Sequence, residues 1–100
     1  MNIQKMMKQA AKMQEELTAA LATKTVDVTV GGGNVTVTAN GLGDILAIKI
    51  SKQVVDPEDV EMLEDLVLTG VKQAIKEGKE LASSEMGRMT AGLGLPPGMM

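Results

Sequence analysis

Residues 25–51 read TVDVTVGGGNVTVTANGLGDILAIKIS, the one stretch of the chain in which apolar and polar residues alternate strictly. A period of two puts successive side chains on opposite faces of a strand, so Val26, Val28 and Val30 share a face that Thr25, Asp27 and Thr29 avoid. Val35, Val37 and Ala39 alternate with Thr36 and Thr38 in the same way. Between the two runs, Gly31-Gly32-Gly33-Asn34 supplies residues that tolerate positive φ, which predicts a hairpin. Asn40-Gly41-Leu42-Gly43 turns the chain once more. A third run, Ile45 to Ile50, then sets Leu46, Ile48 and Ile50 against Ile45, Ala47 and Lys49. The expected unit is a three-stranded antiparallel meander with one aliphatic face and one threonine-rich face.

Helices flank this unit. From Asn2 to about Ala22, the residues Ile3, Met6, Ala10, Met13, Leu17 and Ala20 recur at spacings of three and four, with no Gly or Pro between them, as in a helix with a narrow apolar seam. Such a helix runs roughly 30 Å, against ~20 Å for a six-residue strand, so it should overhang the sheet it packs on. Downstream, Asp56-Pro57-Glu58-Asp59 reads as a helix start, with Asp56 as the cap and Pro57 in the first turn. Val60, Leu63, Val67, Ala74 and Leu81 continue one face of this second helix. Gly70, Ala74, Gly78 and Ala82 form a ridge without bulk, and interior glycines costing ~1 kcal/mol each imply close packing along it. Residues 87–100, GRMTAGLGLPPGMM, hold too many glycines and prolines for a helix. They read as a loop or mobile tail, dividing the chain into a folded domain 1–86 and a tail 87–100.

One hundred residues suffice for a single small core. The sequence has neither cysteine nor histidine, which removes thiolate metal sites, disulfides and the commonest general base. No phosphate loop is present either, because no Gly-Lys-Ser/Thr follows Gly33 and the glycines join two strands. The acids of residues 56–65 lack the alternation and turn glycine of a calcium loop. No enzyme, metal, cofactor or small-molecule substrate is therefore expected. No apolar run is long enough for a membrane span and no signal peptide opens the chain, so a cytoplasmic protein is expected.

The net charge is −3, but its distribution is uneven. Lys5, Lys8 and Lys12 line one side of the first helix, away from the seam; Lys72, Lys76 and Lys79 share a side of the second, and Arg88 follows. These rows suit either a solvated surface or contact with the phosphates of a polyanion. The absence of Phe, Tyr and Trp argues against base stacking, and no base-reading helix is recognisable. Nine methionines fill apolar positions instead, as packing or as an adaptable contact surface.

MMKQAAKMQEEL near the start, GGGNVTVTANGLG in the hairpin, VVDPEDVEMLEDLV at the second helix and GLGLPPGM at the end together resemble the YbaB/EbfC family of bacterial nucleoid-associated DNA-binding proteins. The resemblance spans nearly the whole chain. It implies an α-β-β-β-α subunit of the α+β class, an intertwined tweezer-like homodimer, and duplex DNA as partner in the nucleoid. On this basis Lys5, Lys8, Lys12, Lys72, Lys76, Lys79 and Arg88 are the candidate DNA contacts, made to the backbone with weak sequence preference. The alternative is a protein-interaction adaptor that uses the methionine-rich seams without significant DNA binding.

Overall fold

Three consecutive glycines in left-handed conformation, Gly31, Gly32 and Gly33 at φ 64°, 70° and 90°, close the first hairpin. Asn34 completes the loop by donating its side-chain amide to the Gly31 carbonyl at 2.8 Å. A computed structural model describes residues 2–92, with side chains through Arg88. Its elements follow the order α1 (Ile3–Thr23), β1 (Thr25–Val30), β2 (Val35–Asn40), β3 (Ile45–Ile50), a short 3-10 turn (Lys52–Val54) and α2 (Val60–Gly92). The antiparallel sheet has the order β1-β2-β3. This is the α-β-β-β-α subunit that the alternation and the flanking periodicities predict.

The aliphatic face forms as expected in β1 and β2, where Val28 pairs with Val37 and Val30 with Val35. Val28, Val35, Val37 and Ala39 are buried. In β3 the expected alternation fails. The register slips between Thr38 and Ala39, so Ala47 pairs with Thr38 while Ile45 pairs with Ala39, leaving Leu46 as the extra residue of a bulge. The extra residue breaks the pattern: Ile45 packs against the core, and Leu46 is 52% exposed.

α2 lies along the aliphatic face. Leu66 sits over Gly31 at the hairpin end, Gly70 over Val37 and Val30, and Gly78 over the Asn40 backbone. From Leu66 to Gly78 the helix rises ~18 Å, the length of a six-residue strand, so the small-residue ridge is where helix and sheet touch. A Cβ added at Gly78 would lie 2.5 Å from the Asn40 carbonyl oxygen, and Ala74 is fully buried. The helix is set over β1 and β2 more than over β3. Ile48 and Ile50 stay partly exposed, and an open apolar groove runs between Ile50 and Leu63, Val67, Leu68 and Val71.

Both ends of α2 differ from the sequence reading. Asp56-Pro57-Glu58-Asp59 is a turn that precedes the helix, closed by a bond from the Asp59 amide to the Asp56 carbonyl at 3.0 Å. Pro57 therefore sits inside this turn and outside the helix. Asp59 is the cap, its Oδ1 accepting the Met62 amide at 3.3 Å. At the other end α2 continues through Gly87 to Gly92. A lone glycine costs ~1 kcal/mol yet keeps its hydrogen bond, whereas proline removes one; Pro96 and Pro97, with the rest of the expected tail, lie outside the described residues.

The first helix also behaves differently from expectation. Asn2 caps it through bonds from the Gln4 and Lys5 amides. α1 does not lie along the sheet: Leu21 is its buried residue, Leu17 and Ala20 are half-buried, and Ile3, Met6, Ala10 and Met13 are exposed. The sheet face that the overhang expectation assigned to α1 is taken by α2. α1 projects instead, and the molecule measures 68 × 26 × 16 Å.

Candidate nucleic-acid interface

The basic residues sit on the two helices. Lys5, Lys8 and Lys12 are exposed along the projecting part of α1. Lys72, Lys76 and Lys79 are exposed on α2, where they border a shallow groove with Ile75, Glu80 and Ser83. Among the described residues, none of these six lysines forms an ion pair or side-chain hydrogen bond. The structure brings the three lysines of each row together, but the rows remain on separate helices that touch only over a short stretch. Arg88 is 73% exposed and donates to Glu85 Oε1 at 3.2 Å, so it is the one candidate already engaged.

Two charged residues at this end of the molecule escaped the sequence reading. Lys24, just after α1, donates to the same Glu85 oxygen at 2.5 Å. The Lys24 hydrogen bond holds the Glu85 carboxyl below its ordinary value; the charges of Lys24 and Arg88 act in the same direction, and partial burial opposes them. Lys24 and Glu85 lie 61 residues apart, and no local spacing announces such a pair.

The base of α1 is tied down beside it. The Gly41 amide donates to the carbonyls of Leu21 at 2.9 Å and Lys24 at 3.1 Å, and a Cβ at Gly41 would come within 2.8 Å of Leu21. Asn40, buried at the end of β2, accepts the Leu42 and Asp44 amides on Oδ1, both at 3.0 Å, and donates to the Ala22 carbonyl at 3.4 Å. One asparagine thus shapes the β2–β3 turn and docks the last turn of α1. Among the described residues no group of acids is placed to hold a metal ion, and no helix is long and apolar enough to cross a membrane.

Comparison with known proteins places the chain in a family without assigning these residues a role. The model of the YbaB/EbfC DNA-binding family matches residues 1–93. The chain belongs to this family. Among its YbaB/EbfC relatives, a nucleoid-associated protein of Ruminiclostridium cellulolyticum is 48% identical, over 98% of this chain and 88% of its own. One from Bacillus cereus strain B4264 is 55% identical over 89% of this chain and 78% of its own. The fold is also that of a crystal structure of an uncharacterized Helicobacter pylori protein, with a TM-score of 0.66 at 21% identity, covering 84% of this chain and 98% of that one.

Proposed function

We propose that this YbaB/EbfC-family protein binds duplex DNA as a homodimer in the bacterial nucleoid, without catalysis and with weak sequence preference, and so affects DNA organisation and gene expression. The observation that carries the proposal is the exposed, unpaired row Lys5, Lys8 and Lys12 on a helix that leaves the body of the subunit. Lysines that contact phosphates position the duplex and carry no base information, and that is the ground for a weak preference. Lys72, Lys76, Lys79 and Arg88 form the second contact surface.

Dimerisation is supported by the apolar surface one subunit leaves uncovered: Leu46, Ile48 and Ile50 on β3, Leu68 on α2, and Ile3, Met6, Met7 and Met13 on α1. Exposed apolar area this extensive on a small domain marks an interaction surface. The adaptor reading shares this observation and differs only in what occupies it. Sedimentation at micromolar concentration should give twice the subunit mass; a compact folded monomer would remove the homodimer.

The DNA reading is tested by titrating duplexes of unrelated sequence across a range of salt concentrations. Affinity should fall with salt at a logarithmic slope of about 0.9 per phosphate contact, similarly for each sequence. Changing Lys5, Lys8 and Lys12 together to glutamine keeps helix propensity and removes charge. The triple variant should lose up to ~2.7 of that slope for each subunit in contact if all three lysines meet phosphates. Unchanged affinity and slope would leave the row as solvated surface, and no binding by the parent at low salt would favour the adaptor.

A further inference from the structure

We propose that Asn40-Gly41 is a site of spontaneous covalent modification, the deamidation of Asn40 through a cyclic imide, and that the docked end of α1 keeps this site closed. The inference is independent of the DNA reading and of what covers the apolar surface.

The chemistry belongs to the dipeptide. Once its proton has passed to water or hydroxide, the Gly41 nitrogen attacks the side-chain carbonyl carbon of Asn40. The new carbon–nitrogen bond closes an imide, and the side-chain nitrogen leaves as ammonia. Water then opens the ring at either carbonyl, giving aspartate or isoaspartate. A following glycine favours the attack, because no Cβ crowds the nitrogen and the backbone turns freely. Of the three asparagines, Asn40 alone precedes glycine. Asn2 and Asn34 precede Ile3 and Val35, whose stiff branched side chains obstruct the approach.

The fold needs both members of this labile pair. A Cβ at position 41 would lie 2.8 Å from the Leu21 side chain and 3.2 Å from the Leu21 carbonyl oxygen, so glycine is what lets α1 come this near. Position 40 needs a side chain that accepts the Leu42 and Asp44 amides while donating to the Ala22 carbonyl.

The same contacts oppose the reaction. The Gly41 amide proton, which must leave, is held by the Leu21 and Lys24 carbonyls at 2.9 and 3.1 Å. The Asn40 carboxamide is fixed through both its oxygen and its nitrogen, and at 3% exposure the residue is shielded from water. The ion pair with Glu85 steadies Lys24, whose carbonyl covers the Gly41 nitrogen. Leu21, Ala22 and Lys24 are consecutive parts of one helix end, so a single local opening frees the nucleophile, loosens the carboxamide and admits water. Closure afterwards is impaired. Aspartate puts an anionic oxygen where Nδ2 stood, 3.4 Å from the Ala22 carbonyl oxygen, and isoaspartate lengthens the main chain and carries Gly41 away from its acceptors.

The test is incubation of the full-length protein at mildly alkaline pH and one fixed concentration, with conversion at Asn40 followed by peptide mass mapping and isoaspartate by enzymatic methylation. In the folded parent it should run at least ~100-fold slower than in urea. Leu21→Ala, which empties the contact over Gly41, should speed it roughly tenfold or more. Gly70→Ala, which acts on the sheet at Val37 and Val30, should change it little. Glu85→Gln alters neither α1 nor the turn and serves as the second variant where Leu21→Ala does not fold; it too should speed conversion beyond Gly70→Ala. A parent that converts as fast as in urea, or folded Leu21→Ala and Glu85→Gln proteins that convert no faster than Gly70→Ala, overturns the inference. So does purified isoaspartyl protein that melts with the parent, since the modified turn would then still dock α1.

Discussion

Replacing Gly78 with alanine tests the seating of α2 on the sheet, because two effects of known sign compete there. Alanine favours a helix interior over glycine by ~1 kcal/mol. Against that, the new methyl carbon would lie 2.5 Å from the Asn40 carbonyl oxygen, where even a close carbon–oxygen contact needs ~3.3 Å or more. The oxygen belongs to a strand backbone that also accepts the Gly43 amide at 3.0 Å, so it cannot rotate away as a side chain would. The helix must retreat by close to 1 Å, loosening its contact with Ala39 and opening the layer that buries Ala74 completely. Overpacking of this kind costs typically 1–3 kcal/mol, so the net effect is a loss of up to ~2 kcal/mol.

Gly87 provides the internal control. It too lies inside α2, but nothing stands within 4 Å of where its Cβ would be, so Gly87→Ala should gain most of the ~1 kcal/mol helix preference. Gly70→Ala falls between, since its nearest neighbours are the Val37 and Val30 side chains at 2.9 and 3.4 Å, which have some room to adjust. Thermal melts at one fixed protein concentration read the order, with 1 kcal/mol worth about 4–8 °C in a domain of this size. The expected ranking is Gly87→Ala above the parent, then Gly70→Ala, then Gly78→Ala. A Gly78→Ala melt that rises as far as that of Gly87→Ala would refute the contact between α2 and the end of β2.

Two further outcomes follow from the end of the sheet where α1 is docked. Asn40→Ala removes the acceptor for the Leu42 and Asp44 amides and the donor to Ala22, and should cost roughly 2 kcal/mol by thermal or urea unfolding, whereas Asn40→Asp, which keeps the acceptor, should cost less. The depressed Glu85 carboxyl contributes stability that is complete above its ordinary value near ~4.3 and is lost as pH falls below it. The stability difference between the parent and Glu85→Gln should accordingly shrink on acidification below about pH 4, and a difference independent of pH would show that the carboxylate charge is not what matters.

What the sequence made legible was set by range. Val26 to Val30 and Val35 to Ala39 declare their faces because each position depends on its neighbours two residues away, and the glycines of the first hairpin declare its turn. The ridge Gly70, Ala74 and Gly78 was legible for a related reason: glycine is costly in a helix, so its repetition at one spacing implies a close neighbour. The β3 bulge was not legible, because Leu46 is as apolar as the residues beside it and pattern alone cannot tell an inserted residue from a paired one. The start of α2 was misplaced because both Asp56 and Asp59 have the chemistry of a cap, and only the turn through Pro57 decides between them. Of the candidate interface, exposed lysines at three-four spacing could be found by counting. The Lys24–Glu85 pair could not, since it exists only after Asn40 and Gly41 have brought the end of α1 to α2.

The same distinction between local order and total composition explains how a chain of net charge −3 presents cationic surfaces. The acids Asp56, Glu58, Asp59, Glu61, Glu64 and Asp65 are exposed and crowd the start of α2, where they complement the positive end of the helix dipole. Lys72, Lys76 and Lys79 come later; from Glu61 to Lys76 the helix rises about 22 Å. At physiological salt the screening length is ~8 Å, so Glu61 lies more than two screening lengths from Lys76 while Asp65, about 10 Å of rise from Lys72, lies little more than one, and the acidic end weakens the attraction of the later lysines for a polyanion least. Glu77 and Glu80 lie among the lysines, but Glu77 accepts from Gln73 at 3.3 Å along the helix and, among the described residues, pairs with no lysine. The arrangement that stabilises the start of α2 therefore also orients the molecule. A polyanion meets the acidic end as a repulsive face and the lysine rows as an attractive one. Scrambling the order of charges at constant composition would weaken both the helix and the approach.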